Sequence, residues 1–153
     1  MRTENTLEFD AEIGALEVAD QALEGFSRQM TWPDETLFQV RLVLEELLIN
    51  VIHHGGDGQR QPRVRVHLVQ EADRFALEIA DDGIAYDPLQ APPPDLESDV
   101  EDRPIGGLGV HLARQLSDSI AYQRVAGWNR IKMTKTVPQA RLTPLPDTSQ
   151  SGR

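Results

Sequence analysis

Hydrophobic residues along the chain fall into two different periods, and these predict its elements. Ile13, Leu16, Leu23, Phe26 and Met30 recur at helical spacing, which predicts a helix over 13–30, although Gly25 weakens its last turn. Residues 31–34, Thr-Trp-Pro-Asp, read as a break and a restart, with Asp34 and Glu35 suited to the positive end of a second helix dipole. That helix runs to about His54 and is closed by Gly55-Gly56. Strand-like alternation occupies three regions. Residues 6–9 form a short edge strand; Val64, Val66 and Leu68 share one face; Phe75, Leu77 and Ile79 share another, with a hairpin turn over 70–73. Gly106-Gly107-Leu108-Gly109 opens a third helix bearing Val110, Leu112, Ala113 and Leu116. Two strands follow, near 119–125 and 129–137, with a turn at Gly127.

The segment 81–105 breaks both periods. It holds five prolines and an excess of acidic residues, so it cannot bury enough apolar surface to order itself alone. A loop of this length in a compact domain is usually functional or disordered. Residues 1–137 are expected to form one domain and 138–153, rich in proline and serine, a disordered tail.

Composition narrows the function classes. With 153 residues and no cysteine, the chain has no disulfide framework, thiolate-held metal or cysteine nucleophile. Twenty-five acidic against 15 basic residues give a net charge of −10, which disfavours direct nucleic-acid binding and an anionic membrane surface. No run approaches the roughly 20 apolar residues that span a bilayer. The expectation is a soluble cytoplasmic protein.

The candidate chemistry begins on the second helix. Leu37, Val40, Leu44, Leu48 and Val51 form a stripe that should face a sheet; Glu46 lies opposite it and Asn50 one turn further on. Leu42, Val43 and Ile49 flank Glu46, so this polar face is not simply solvated. Such a carboxylate and carboxamide need partners. Asn50 could offer its oxygen to a metal and Glu46 could act as a general base; a structural hydrogen-bonded pair or a subunit interface fits the same pattern. Asp81-Asp82-Gly83 ends a strand and could be either a turn or an acceptor for an exocyclic amine. The glycine cluster at 106–109 offers free N–H groups to an anion, or a hinge to a lid.

A Glu-x-x-x-Asn helix, a strand ending Asp-x-Gly, a long loop and a Gly-x-Gly helix start occur here in that order. This resembles the ATP-binding domain shared by gyrase, histidine kinases and MutL, the GHKL superfamily. Glu46-Leu-Leu-Ile-Asn50-Val-Ile-His-His54-Gly55 is similar to the anti-sigma-factor serine/threonine kinases of RsbW and SpoIIAB type. The resemblance implies an α/β two-layer sandwich, a mixed, mainly antiparallel sheet with three helices on one face (the Bergerat ATP-binding fold). It further implies Glu46 as catalytic base, Asn50 as the Mg2+ ligand, and Asp81 and Gly83 at the adenine. Gly107, Leu108 and Gly109 fall beside the phosphates, His54 at the end of the motif helix, and 87–105 in the ATP lid. The implied cofactors are ATP and Mg2+. The implied partners are a STAS-domain anti-anti-sigma factor, which would be phosphorylated, and a sigma factor, which would be sequestered; a homodimer is typical of the subfamily. Two departures stand out. Ala85 replaces the second glycine of Asp-x-Gly-x-Gly, and Asn129-Arg130 replaces a Gly-Thr pair, removing a hydroxyl near the adenine. They leave open a catalytically weak module that binds ATP and sequesters a partner. A detached histidine-kinase catalytic domain fits less well, because the helix over 13–30 contains no acceptor histidine.

Overall fold

The computed structural model describes residues 1–90 and 107–138. The expected lid beyond Gln90 and the expected tail beyond Pro138 lie outside these residues. The elements are β1 (Arg2–Asp10), α1 (Ile13–Met30), α2 (Asp34–His54), β2 (Arg63–Glu71), β3 (Arg74–Asp81), a single 3-10 turn (Pro88–Gln90), α3 (Gly107–Leu116), β4 (Ser119–Val125) and β5 (Trp128–Thr136).

The five strands form one open sheet in the order β1-β2-β3-β5-β4. Among the described residues every pairing is antiparallel, so the sheet is simpler than the mixed one expected. The reason lies in the connections. β2–β3 and β4–β5 are hairpins with two-residue loops, and α3 returns the chain to the far edge before the second hairpin pairs back onto β3. Both hairpin turns need left-handed backbone, which Ala72 (φ 56°), Ala126 (φ 51°) and Gly127 (φ 83°) supply.

The alternation read from the sequence decides which face is covered. Val64, Val66 and Leu68 on β2, Phe75, Leu77 and Ile79 on β3, and Ile131 and Met133 on β5 are all buried beneath the helices. From α2, Val40, Leu44, Leu48 and Val51 meet them, joined by Val43 and Leu47. Each such burial contributes about 2 kcal/mol before conformational entropy is charged against it. The other sheet face carries ion pairs: Arg65 to Glu8 at 2.8 Å, Arg63 to Asp10 at 3.3 Å and Arg130 to Glu78 at 2.9 Å.

The break between α1 and α2 is a structural anchor. Thr31 adopts left-handed backbone (φ 57°) and ends α1. Trp32 then turns inward, packs edge-on against Phe75 (4.8 Å between ring centroids) and Phe26 (5.7 Å), and donates its indole N–H to Gln70 Oε1 at 2.7 Å. Gly25 does not end α1 early; the helix continues to Met30.

Candidate functional site

The polar face of α2 looks away from the sheet and toward α3. Gly109, in the first turn of α3, lies directly on the Glu46 side chain: a Cβ at position 109 would come within 1.7 Å of Glu46 Oε2 and 2.1 Å of Glu46 Cδ. Only glycine lets α3 pack here with the carboxylate in place. Burial raises the pKa of Glu46 above its ordinary value of 4.5, and the neighbouring Glu45 charge adds to the effect. Gly107 and Leu108 form the start of the same helix, whose first N–H groups have no partner within the helix.

One turn beyond Glu46, Asn50 is 6% exposed, and its Nδ2 has no hydrogen-bond partner among the described residues. An orphaned buried amide is costly, roughly 1–3 kcal/mol. It lines a cavity shared with Leu47, Gly55, Asp81, Tyr86 and Asn129. Turning this amide by half a circle would present its oxygen to the same space. The residue therefore fits a hard cation that is otherwise coordinated by phosphates and water, the usual arrangement for Mg2+. Among the described residues there is no cluster of three or more His, Asp or Glu able to hold a metal.

At the far end of the cavity, Asp81 closes β3. Its Oδ1 accepts from the Gly83 N–H and from Asn129 Nδ2, both at 3.0 Å, while no described residue donates to Oδ2. Burial raises the Asp81 pKa; the hydrogen bonds from Asn129 and Gly83, and the Arg124 charge, oppose it. Gly83 is required by a backbone crossing, since a Cβ there would lie 2.2 Å from the Gly55 carbonyl oxygen. Gly55 is in turn wedged between the Val51 carbonyl and Pro62. The α2 terminus and the end of β3 are thus locked together, with Ile84 N–H donating to Gly55 O at 3.1 Å. Ala85 is exposed and its φ is not positive, so its backbone does not demand the glycine it replaces.

Three features escaped the sequence. His54, at the end of α2, stacks on Tyr86 with ring centroids 4.4 Å apart and planes 19° apart. Tyr86 had carried no specific signal, and its ring lines the cavity. Asn129, read only as a lost hydroxyl, is 5% exposed and makes four hydrogen bonds. Tyr122 reaches it from β4. With these side chains in place the cavity leaves about 20 Å³ for the centre of a water-sized sphere, room for about one water. Helix periodicity could have flagged Glu46 and Asn50, but no local pattern marks contacts made across 32 or 43 residues of chain.

Comparison with known proteins agrees with this architecture. Residues 9–135 match the histidine kinase-like ATPase domain family. The serine/threonine-protein kinase BtrW of Bordetella bronchiseptica is 33% identical over 112 residues, covering 73% of this chain and 79% of that protein. The serine-protein kinase RsbW of Listeria monocytogenes is 23% identical over 78% of this chain and 79% of its own length. The anti-sigma F factor of Bacillus thuringiensis is 27% identical over 78% and 82%. Among solved structures, the RsbU and RsbW domains of a Mycobacterium tuberculosis protein superpose with a TM-score of 0.59 at 14% identity. That match covers 87% of this chain and 32% of the longer one, and it speaks for the fold alone. The chain belongs to the histidine kinase-like ATPase domain family.

Proposed function

We propose that this protein is a serine/threonine protein kinase of the anti-sigma-factor type, which binds ATP with Mg2+, phosphorylates a STAS-domain anti-anti-sigma partner and sequesters a sigma factor. The observation that carries the reading is the seating of Glu46 against Gly109, with the orphaned Asn50 amide one turn away. A carboxylate held beside a helix start and a free buried amide is arranged for general-base work at a phosphate group, not for stabilising the fold. The relatives, which include both kinases and an anti-sigma factor, support the same reading.

In this mechanism Asp81 takes the exocyclic amine of the adenine on its open Oδ2, and the first turn of α3 from Gly107 donates N–H groups to the phosphates. Asn50 would hold Mg2+ through its side-chain oxygen, and the metal would supply positive charge against the phosphates. Glu46 receives the proton of the acceptor serine or threonine hydroxyl. Its pKa, raised by burial, makes it a better proton acceptor than an exposed carboxylate. Positioning and electrostatics then carry phosphoryl transfer.

The test is purification with bound partners, incubation with Mg-ATP and mass spectrometry of whatever co-elutes. A phosphorylated small partner with the wild type, and none with Glu46→Gln, is the expected result. Transfer by Glu46→Gln at the wild-type rate would refute the general-base role. ATP binding without transfer in the wild type would identify the sequestering module instead. Asp81→Ala is expected to lose nucleotide binding in a direct titration; unchanged affinity would remove Asp81 from the base pocket.

A further inference from the structure

Asn129 occupies the centre of a closed hydrogen-bond set. Its Nδ2 donates to Asp81 Oδ1 at 3.0 Å and to the Ile84 carbonyl at 2.7 Å. Its Oδ1 accepts from the Tyr86 backbone N–H at 3.2 Å and from the Tyr122 hydroxyl. Both hydrogens and both lone pairs of the amide are therefore used. A half-turn would set the NH2 group against the Tyr86 N–H and the amide oxygen against Asp81 Oδ1 and the Ile84 carbonyl, so the orientation is fixed. A fixed amide fixes what lies against it: the Asn129 and Gly83 N–H groups aimed at Oδ1 favour the ionised carboxylate and oppose the burial that would protonate it. Asp81, which lines the cavity, is thus held with Oδ1 doubly occupied as an acceptor, while no described residue donates to Oδ2. The other groups that act on this carboxylate are Asp82, next along the chain, and Arg124 from β4.

We propose that Asn129 is a positioning residue for base selection. It holds Asp81 as an acceptor, so the pocket favours a purine bearing an exocyclic amine over one bearing a carbonyl at the same place. The inference rests on the adenine-pocket reading of Asp81 and assigns the selectivity to a residue that reading does not include. A purely structural Asn129 would change stability on substitution without changing which base is preferred.

The experiment is calorimetric titration of the full chain with Mg-ATP and with Mg-ITP, whose hypoxanthine carries a carbonyl where adenine carries its amine. Wild-type protein is expected to prefer ATP by about tenfold or more, the scale of one hydrogen bond to a charged group. Asn129→Asp places two carboxylates at the 3.0 Å separation now bridged by the amide, where both cannot ionise and one proton is shared. With that proton on Asp81 Oδ2 the pair can donate to a carbonyl, so the ATP/ITP ratio should fall at least tenfold and should rise again as the pair loses its proton with increasing pH. Asn129→Ser, which keeps a hydroxyl but cannot bridge all four groups, should lower the ratio at every pH, and it stands in should Asn129→Asp fail to fold by thermal melting. A wild-type ratio in either folded variant overturns the proposal. Failure of the underlying pocket reading looks different: wild type itself would bind ATP and ITP alike, or Asp81→Asn would leave the ratio unchanged, and either result removes this inference with it.

Discussion

Gly109→Ala tests the site at the point of closest approach. The added Cβ would lie 1.7 Å from Glu46 Oε2, 2.1 Å from Cδ and 2.8 Å from Cγ. Ordinary contact begins near about 3.4 Å, so the carboxylate must swing by more than about 1 Å. Because the obstructing atoms are the end of a flexible side chain, relief comes by rotating Glu46 and not by parting α3 from α2. Alanine also returns up to about 1 kcal/mol of helix propensity relative to glycine. The fold should therefore melt at the wild-type temperature or slightly above it. Catalysis should not survive so well. Misplacing a reacting group by about 1 Å costs on the order of 100-fold, near 2.7 kcal/mol of barrier. Expected, then, is a fall in kcat of about 100-fold for phosphorylation of the co-purified partner at saturating Mg-ATP, without loss of stability. Repeating the substitution in a Glu46→Gln background supplies the control. If Gly109 acts through the carboxylate, the second change adds almost nothing to the first. A kcat within a few-fold of wild type, or full additivity in the double variant, would refute the reasoning.

Other consequences follow from burial and backbone geometry. Glu46 has its pKa raised in the fold, so its charged form destabilises the protein above that pKa, and the cost is relieved as pH falls through it; Glu46→Gln should raise the melting temperature at pH 7 by an amount that fades toward pH 4. The acid limb of the kinase pH profile should lie above the ordinary value of 4.5, and Glu45→Gln should move it downward. Trp32→Phe strips the indole N–H from the buried Gln70 Oε1 and should cost about 2 kcal/mol in urea unfolding; equal midpoints would show that the bond contributes little. Ala72→Gly, at φ 56° in the β2–β3 turn, should stabilise by about 1 kcal/mol, and a loss of stability would contradict the left-handed turn.

The sequence made the regular elements legible where the period was clean. α1 and β4 have the bounds that their spacing predicts, and α2 starts and stops at the predicted signals. β1 was read as 6–9 and spans Arg2–Asp10, because its outward residues Glu4, Glu8 and Asp10 find His67, Arg65 and Arg63 only once β2 lies alongside. Trp32 looked like part of a break because Pro33 dominates the local signal, whereas its role depends on Phe75 and Gln70, far along the chain. Within the site, the α2 motif exposed Glu46 and Asn50 together because both lie on one element. Asn129 could only be described as an absent hydroxyl: its value lies in four partners contributed by three other segments. Likewise the glycine of Asp-x-Gly suggested room for a ligand ring, but Gly83 is already spent on its crossing with Gly55.

Three polar groups carry a cost of burial in this region: the Asn50 amide, whose Nδ2 has no partner among the described residues, and the Glu46 and Asp81 carboxylates, whose pKa values burial raises. In an ordinary core each would be a defect, and replacement by an apolar residue would stabilise the fold. Their deficits are not random in sign. The carboxylates want a cation or a donor, the amide wants any partner, and the start of α3 offers surplus N–H groups to an anion. One ligand that combines an amine, phosphates and a bound cation answers all of them together. A protein with a net charge of −10 repels such a polyanion, and on the proposed reading the local donors at α3 and a cation at Asn50 would offset that repulsion. The same reasoning separates the two ends of the site. Loss of the cation should weaken the phosphate end, at Asn50, while leaving the base selectivity fixed by Asp81 and Asn129 intact. Measuring the ATP/ITP ratio with and without Mg2+ tests this independence: a ratio that collapses when the metal is chelated would mean that the two ends are one cooperative unit, and the division of labour argued from their separate hydrogen-bond sets would be wrong.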